Sequence, residues 1–278
     1  MSTNKVRHIT AKSSFWEYWK EVFDYRELFW ILAKRDIMVR YKQTVFGVAW
    51  SVLRPLITSL VYVFGFDKIG NLGAGSPIPY IFYVLPGTII WLFFAQSLQT
   101  ISLSMVVNTN LVSKVFFPRI IIPFSSIFLG MLDVIIAFIV FIGYCVSYDI
   151  YPDYKIIFAP FFVLLTYLAA TGLGLFAAVL NVKYRDIGQL IPFVISFGMF
   201  VSPVAYTTDM VKDNPTAYQL FVLNPVAGCI DGFRWCLLGE NASFNMDSFI
   251  PLLVFCIVSM FLSIRFFRKH ENSFVDYI

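Results

Sequence analysis

Between Lys68 and Lys114 the chain runs for 45 residues without a single Asp, Glu, Lys or Arg. A soluble core of this size does not need such a run, since about 25% of an ordinary soluble chain is charged. Here only 14% of 278 residues are charged and 59% are hydrophobic. That balance belongs to a polytopic membrane protein. Gly 15, Pro 13 and Cys 4, with 19% aromatics, exclude collagen-like, disulfide-stapled and disordered chains.

A hydrocarbon core about 30 Å thick takes roughly 20 apolar residues as helix. Six stretches qualify: 45–66, 80–107, 120–147, 156–182, 187–206 and 248–267. The expected fold is therefore all-α, a single transmembrane domain over 1–278. Residues 1–44 form a tail with an interfacial helix, and 45–206 hold spans one to five. Residues 207–247 lie outside as gate-like helices, 248–267 are span six, and 268–278 are a second tail.

Lys and Arg set the orientation. Sixteen fall on the side that holds both tails and the connectors with Lys114, Arg119, Lys183 and Arg185, against four on the other side: Lys68, Lys155, Lys212 and Arg234. Both termini are expected to be cytoplasmic. No cleavable signal peptide is visible, because the first apolar run begins only near residue 45, after a charged stretch, and is too long for an h-region.

Residues 14–42 read SFWEYWKEVFDYRELFWILAKRDIMVRYK, where Ser14-x-x-Glu17 is a capping box that starts a helix. Trp16, Trp19, Phe23 and Trp30 share a face and basic residues lie on others, the pattern of a helix in the membrane interface. Packing against the protein's own spans is the alternative. Residues 207–247 are too apolar for a solvated loop, yet Asn224-Pro225 interrupts them, and Pro lacks the amide donor and disfavours helix before it. Two short helices broken at that dipeptide are expected. In the fourth span, Ala170, Gly174 and Ala178 put small residues on one face, which permits close helix approach.

Intramembrane ionisable residues are the usual functional pointers. Two stand out. Asp133 lies midway along the third span, where insertion costs roughly 2.5–3.5 kcal/mol, so it faces protein or water; a structural pair and a role in conduction both remain open. Arg54, before Pro55 in the first span, snorkels or marks a later membrane boundary. Neither is assigned a catalytic role.

Enzymatic readings fare poorly. There is no G-x-x-x-x-G-K-[ST] and no Gly-Lys pair, so no P-loop ATPase is built into the chain. His8 and His270 lie in the tails, which removes metal clusters and His relays from the spans. No cofactor and no metal is expected. Cys145, Cys229, Cys236 and Cys256 form no C-x-x-C and read as buried apolar residues, with a Cys229–Cys236 bridge left open. Aromatic side chains are plentiful instead. Phe46, Trp50 and Tyr62 in the first span, with Phe193, Phe197, Phe200 and Tyr206 in the fifth, offer apolar faces with polar edges that suit weak stacking on sugar rings. Ordinary packing is the alternative for any one of them.

Four blocks carry a family resemblance. They are RDIMVRYKQTVFGVAWSVLRPL (35–56), LVSKVFFPRIIIP (111–123), NVKYRDIGQLIPFVISFGMFVSPVAY (181–206) and LNPVAGCIDGFRWCLLG (223–239). The chain resembles the membrane permease of ABC type-2 polysaccharide exporters, the O-antigen, capsule and teichoic acid group. The resemblance implies a homodimer in the bacterial inner membrane that docks two copies of a separate ATP-binding subunit. ATP and Mg would be bound by that partner. It implies docking through the interfacial helix and through Lys114, Arg119, Lys183, Arg185 and Asp186. It also implies a channel lined by the first and fifth spans of both copies, and an external gate around Asn224, Pro225, Asp231 and Arg234. The cargo would be an undecaprenyl-linked polysaccharide, O-antigen above all; another cargo (teichoic acid, capsule, drug or lipid) or a membrane enzyme acting on lipid-linked sugars are the alternatives. No nucleic acid partner is expected.

Overall fold

The computed structural model describes residues 15–42, 47–71, 73, 77–212 and 214–277, and among them the chain is mostly helical, with no strand. Ser14 and Phe46, and the start of the first expected span, lie outside the described residues. In chain order the helices are α1 (Phe15–Asp24), α2 (Arg26–Lys42), α3 (Ala49–Tyr62), α4 (Ile81–Val107), α5 (Thr109–Lys114), α6 (Ile121–Ser125), α7 (Ile127–Ser147), α8 (Ala159–Lys183), α9 (Ile187–Val201), α10 (Pro215–Leu223), α11 (Pro225–Leu238), α12 (Met246–His270) and α13 (Phe274–Tyr277). Among the described residues, five stretches are long and apolar enough to cross a bilayer: Ala49–Ile69, Ile81–Val107, Ile121–Ser147, Tyr154–Lys183 and Met246–His270. A sixth is reached if the bent pair α10–α11 counts as one.

The fifth expected span, 187–206, is shorter than the pattern suggested. Its helix stops at Val201, and Ser202 is extended at φ −102°, ψ 146°. Pro203 is the cause, since its ring crowds a helical residue before it. Fifteen residues give about 22 Å of helix, less than the roughly 30 Å of hydrocarbon. Beyond it, α10 and α11 meet at 87°. The break falls at Asn224, as expected. Asn224 ends one helix and caps the next, its Oδ1 accepting from Val226 N at 3.0 Å, with Pro225 at the first helical position.

Small residues explain how the bundle closes. α4 is the central helix, buried along most of its length. α8 packs on it with Ala170 and Ala178 fully buried, and a Cβ at Gly174 would run into the Ile101 side chain. On its other side, Gly172 admits Ser259 of α12. Gly232 of α11 admits the Phe162 ring of α8 in the same way. Without a hydrophobic difference between lipid and protein, such close backbone approach is what holds membrane helices together. Hydroxyls inside α4 are satisfied locally: Thr88 donates to Val84 O at 2.9 Å and Ser104 to Ile101 O at 2.7 Å.

All four cysteines are free and buried. Cys229 and Cys236 lie on one helix, α11, seven residues apart and so about 10 Å along its axis. A disulfide needs Cα atoms within about 7 Å, so the bridge left open by the sequence does not form.

The two described ends of the chain meet at one end of the bundle. Tyr18 of α1 donates to Glu271 Oε2 at 2.7 Å, just past α12. The Arg268 guanidinium lies 4.3 Å from the Tyr18 ring centroid. Arg119, in the connector before α6, donates to the Glu271 carbonyl. Burial pushes the Glu271 carboxyl up from its ordinary range against the pull of Tyr18, Arg119 and Arg268, and burial raises the Tyr18 phenol as well.

Candidate functional site

Two polar centres interrupt the apolar bundle, one at each level. The first surrounds Asp133 of α7. Its Oδ2 lies 2.9 Å from Arg40 Nη1 and accepts from Gln96 Nε2 of α4 at 2.9 Å. Its Oδ1 accepts from Tyr41 OH at 3.0 Å and from Ser51 Oγ of α3. One carboxylate thus joins the end of α2, the start of α3, and both α4 and α7. Charge-assisted hydrogen bonds of this kind offset the cost of placing Asp133 in a span. The geometry supplies the partners that a structural pairing of Asp133 calls for. Sequence reasoning named Asp133 but missed Arg40, Tyr41, Ser51 and Gln96. The available signal was the requirement that an intramembrane carboxylate find a cation, and Arg40 is the last arginine before the first span.

The second centre is built on Arg234 of α11, which is 2% exposed. Its Nε donates to Tyr83 O at 2.8 Å, Nη1 to Tyr206 O at 2.9 Å and Nη2 to Val204 O at 2.6 Å. Tyr80 OH donates to the intervening Ala205 carbonyl. The irregular backbone after α9 therefore has three successive carbonyls paired by side chains from α11 and from the residue before α4. Non-helical backbone at membrane depth is tolerated only when its polar groups are satisfied by protein or water, and Arg234, with five donors in a planar fork, suits the task. Asp231, one turn before it, lies 4.0 Å from Nη1 and accepts from Thr208 Oγ1 at 2.6 Å. Asn224 Nδ2 adds a bond to Ser202 Oγ at 2.9 Å. The sequence grouped Asn224, Pro225, Asp231 and Arg234; it did not point to Tyr80, Tyr83 or Thr208, whose distance along the chain hides them.

Four of the described aromatic candidates fall on uncovered faces. Phe193, Phe197 and Phe200 of α9 are 66%, 64% and 68% exposed, at helical spacing on one side. The Phe193 and Phe197 rings stack at 6.3 Å between centroids. Trp50 of α3 is also exposed, whereas Tyr62 and Tyr206 are half-buried. Tyr206 OH donates to Phe200 O at 2.9 Å.

The ABC-2 type transporter family matches residues 27–238, which run from α2 to the last residue of α11 and so contain both polar centres. The chain belongs to that family. It is similar to two O-antigen export system permease proteins RfbA of Klebsiella pneumoniae. Each is 24% identical, over 251 and 252 residues, covering 90% of this chain and 94% of the relative. An O-antigen export system permease protein RfbA of Myxococcus xanthus is 21% identical over 259 residues, 93% of this chain and 98% of the relative.

Within this ABC-2 transporter chain the five residues expected to dock a partner separate into two groups. Lys114, Lys183, Arg185 and Asp186 are exposed. Arg119 is half-buried and bonded to the C-terminal segment. Arg119 is thus tied to the C-terminal segment, while the other four are exposed. Arg54 is exposed on α3, one turn from Trp50 and Ser51, and lines the same small cleft as Arg40 and Asp133.

Proposed function

We propose that the chain is the channel-forming subunit of an ATP-driven exporter that carries an undecaprenyl-linked polysaccharide, O-antigen in the first place, out across the bacterial inner membrane. The observation that carries this reading is the aromatic face of α9, where Phe193, Phe197 and Phe200 stand exposed in a row on a helix too short to cross the bilayer. A face of that kind is matched by a second copy of the chain, with α3 and α9 of each copy forming the wall of a shared conduit. Repeated weak stacking on aromatic rings lets a polymer slide, whereas sugar hydroxyls in bare hydrocarbon would be left unpaired.

The work comes from elsewhere. Two copies of a separate ATP-binding subunit, which hold ATP and Mg, dock at the end of the bundle where Lys114, Lys183, Arg185 and Asp186 are exposed. The basic bias of that end supports its cytoplasmic placement, and with it both termini. The names of the relatives support the cargo.

Deletion of the gene tests the proposal. Glycan is expected to accumulate on its lipid carrier in the cytoplasm, and the tagged chain is expected to co-purify with an ATPase. Normal surface glycan in the deletion strain overturns the cargo. Uphill glycan movement in vesicles that hold this polypeptide alone overturns the division of labour.

A further inference from the structure

Beside the Arg234 clip lies a cavity of about 200 Å³. Its walls include Tyr80, Tyr83, Thr208, Asp231, Arg234 and Asn241. Drug-sized ligands occupy roughly 300–1,000 Å³, so this space suits one small ring and not a chain of them. Its chemistry is mixed in a specific way. Tyr80 and Tyr83 bring aromatic rings. Asp231 brings a carboxylate already oriented by Thr208. Arg234 spends one N–H of each terminal nitrogen on Tyr206 O and Val204 O, which leaves one further N–H on each. Asn241 brings an amide whose bond to Leu238 O is long, at 3.4 Å. Acceptor, donors and aromatic faces in one concavity are what a pyranose requires: vicinal hydroxyls for the carboxylate and amide, ring oxygens for the guanidinium, and an apolar C–H face for the tyrosines.

We infer that this cavity is a monosaccharide subsite, one in each copy of the chain, that takes a single neutral sugar ring at the end of the bundle opposite the contact between Tyr18 and Glu271. The inference rests on the export reading for its biological sense, and extends it by giving the glycan a resting point off the aromatic face of α9. Arg234 then serves two ends. It pairs the carbonyls that follow α9 and presents its remaining donors to the sugar, so occupancy of the cavity and the conformation of residues 202–206 are linked through one side chain.

The test uses the full chain in lipid nanodiscs and saturation-transfer difference NMR with the methyl glycosides of mannose, galactose and N-acetylglucosamine. Transfer to at least one glycoside is expected, strongest at the protons of one ring face. Tyr83→Ala keeps the backbone carbonyl that Arg234 needs and removes the ring; it is expected to weaken binding by about three- to tenfold. Asn241→Ala, which disturbs one long hydrogen bond, is expected to weaken it in the same direction and serves if the tyrosine variant fails to fold. No transfer to any of the three glycosides, or equal binding in wild type and variants, overturns the subsite. If surface glycan is lost on gene deletion while the glycosides show no binding, the subsite alone falls. If the deletion strain keeps its surface glycan, the export reading falls whatever the NMR shows.

Discussion

Arg234 Nη2 lies 2.6 Å from the carbonyl of Val204, so a side chain of α11 carries the backbone on which α9 ends. The approach is possible because Gly87 of α4 stands beside it. A Cβ at Gly87 would sit 2.7 Å from both Arg234 Nη2 and Val204 O. Gly87→Ala is expected to force the clip apart and to destabilise the protein by about 1–3 kcal/mol, the usual cost of overpacking. Gly143→Ala is the control. No atom lies within 4 Å of its added Cβ, and alanine is the better helix former, so stability should hold or rise slightly. Thermal unfolding of both variants in the same detergent decides the matter.

The junction at Asp133 leads to a double-mutant cycle. Removing the carboxylate leaves Arg40, Gln96 and Tyr41 without their shared acceptor. Asp133→Ala is expected to cost about 2–3 kcal/mol, in line with charge-assisted hydrogen bonds. The pair Arg40→Ala with Asp133→Ala should cost less than the sum of the two single changes by about 0.5–3 kcal/mol. Strict additivity in denaturant or thermal unfolding would show that the 2.9 Å ion pair contributes nothing to stability.

The contact between Tyr18 and Glu271 should depend on pH. Burial raises the Glu271 carboxyl above its ordinary range, so the folded clasp binds the proton more tightly than the open chain does. Its contribution is full below the unfolded carboxylate value, about 4.3, and is lost as pH rises through the raised value. Spin labels at Lys20→Cys and Lys269→Cys should report a distance that lengthens or broadens over that rise. The four native cysteines are buried and will not compete for label. Glu271→Gln, which cannot ionise, should give a flat response; the same slope in wild type and variant would remove Glu271 as the cause.

Much of this architecture was legible in the chain, and the reasons are physical. Helical spans have no other place for 45 consecutive uncharged residues, and the break at Asn224-Pro225 follows from a missing amide donor. The end of α9 is hidden in the sequence because Phe200 to Tyr206 is apolar enough to continue a span; only Pro203 ends the helix, and it does so at the residue before it. The grouping around Arg234 was half legible, since Asp231 is one helical turn away. Tyr83 and Val204 were not, because their contribution is a backbone carbonyl, which every residue type carries. The resemblance groups Arg119 with the docking residues. Its tie to Glu271 spans more than 150 residues of sequence, and no local pattern announces it.

The aromatic face of α9 separates stability from function. Phe193, Phe197 and Phe200 are each about two-thirds exposed, so replacing one leaves no cavity, and exposed positions usually change stability by under about 0.5 kcal/mol. Phe197→Ala, like Trp50→Ala on α3, is therefore expected to keep its melting temperature and its assembly while slowing glycan export in a complemented deletion strain. Unchanged flux in both would return these rings to lipid contact.

The exposed charges that follow α8 allow the sharpest test of the division of labour. Lys183, Arg185 and Asp186 lie in and beside the short turn between α8 and α9, and all three are exposed. Together they can meet a partner without rearrangement of the bundle. The two flanking helices are fixed independently: α8 by its packing on α4 and α12, and α9 by its own contact with α4, where Gly198 accepts the Trp91 ring. Replacing all three charges by Ala should therefore leave membrane insertion and thermal stability as they are, yet abolish co-purification of the ATP-binding subunit and glycan export with it. Arg119→Ala should behave in the opposite way: it loses the tie to Glu271 and lowers stability, while the docking charges remain in place. A triple variant that still assembles and exports would locate the docking surface elsewhere, with Lys114 on the neighbouring connector as the next residue to change.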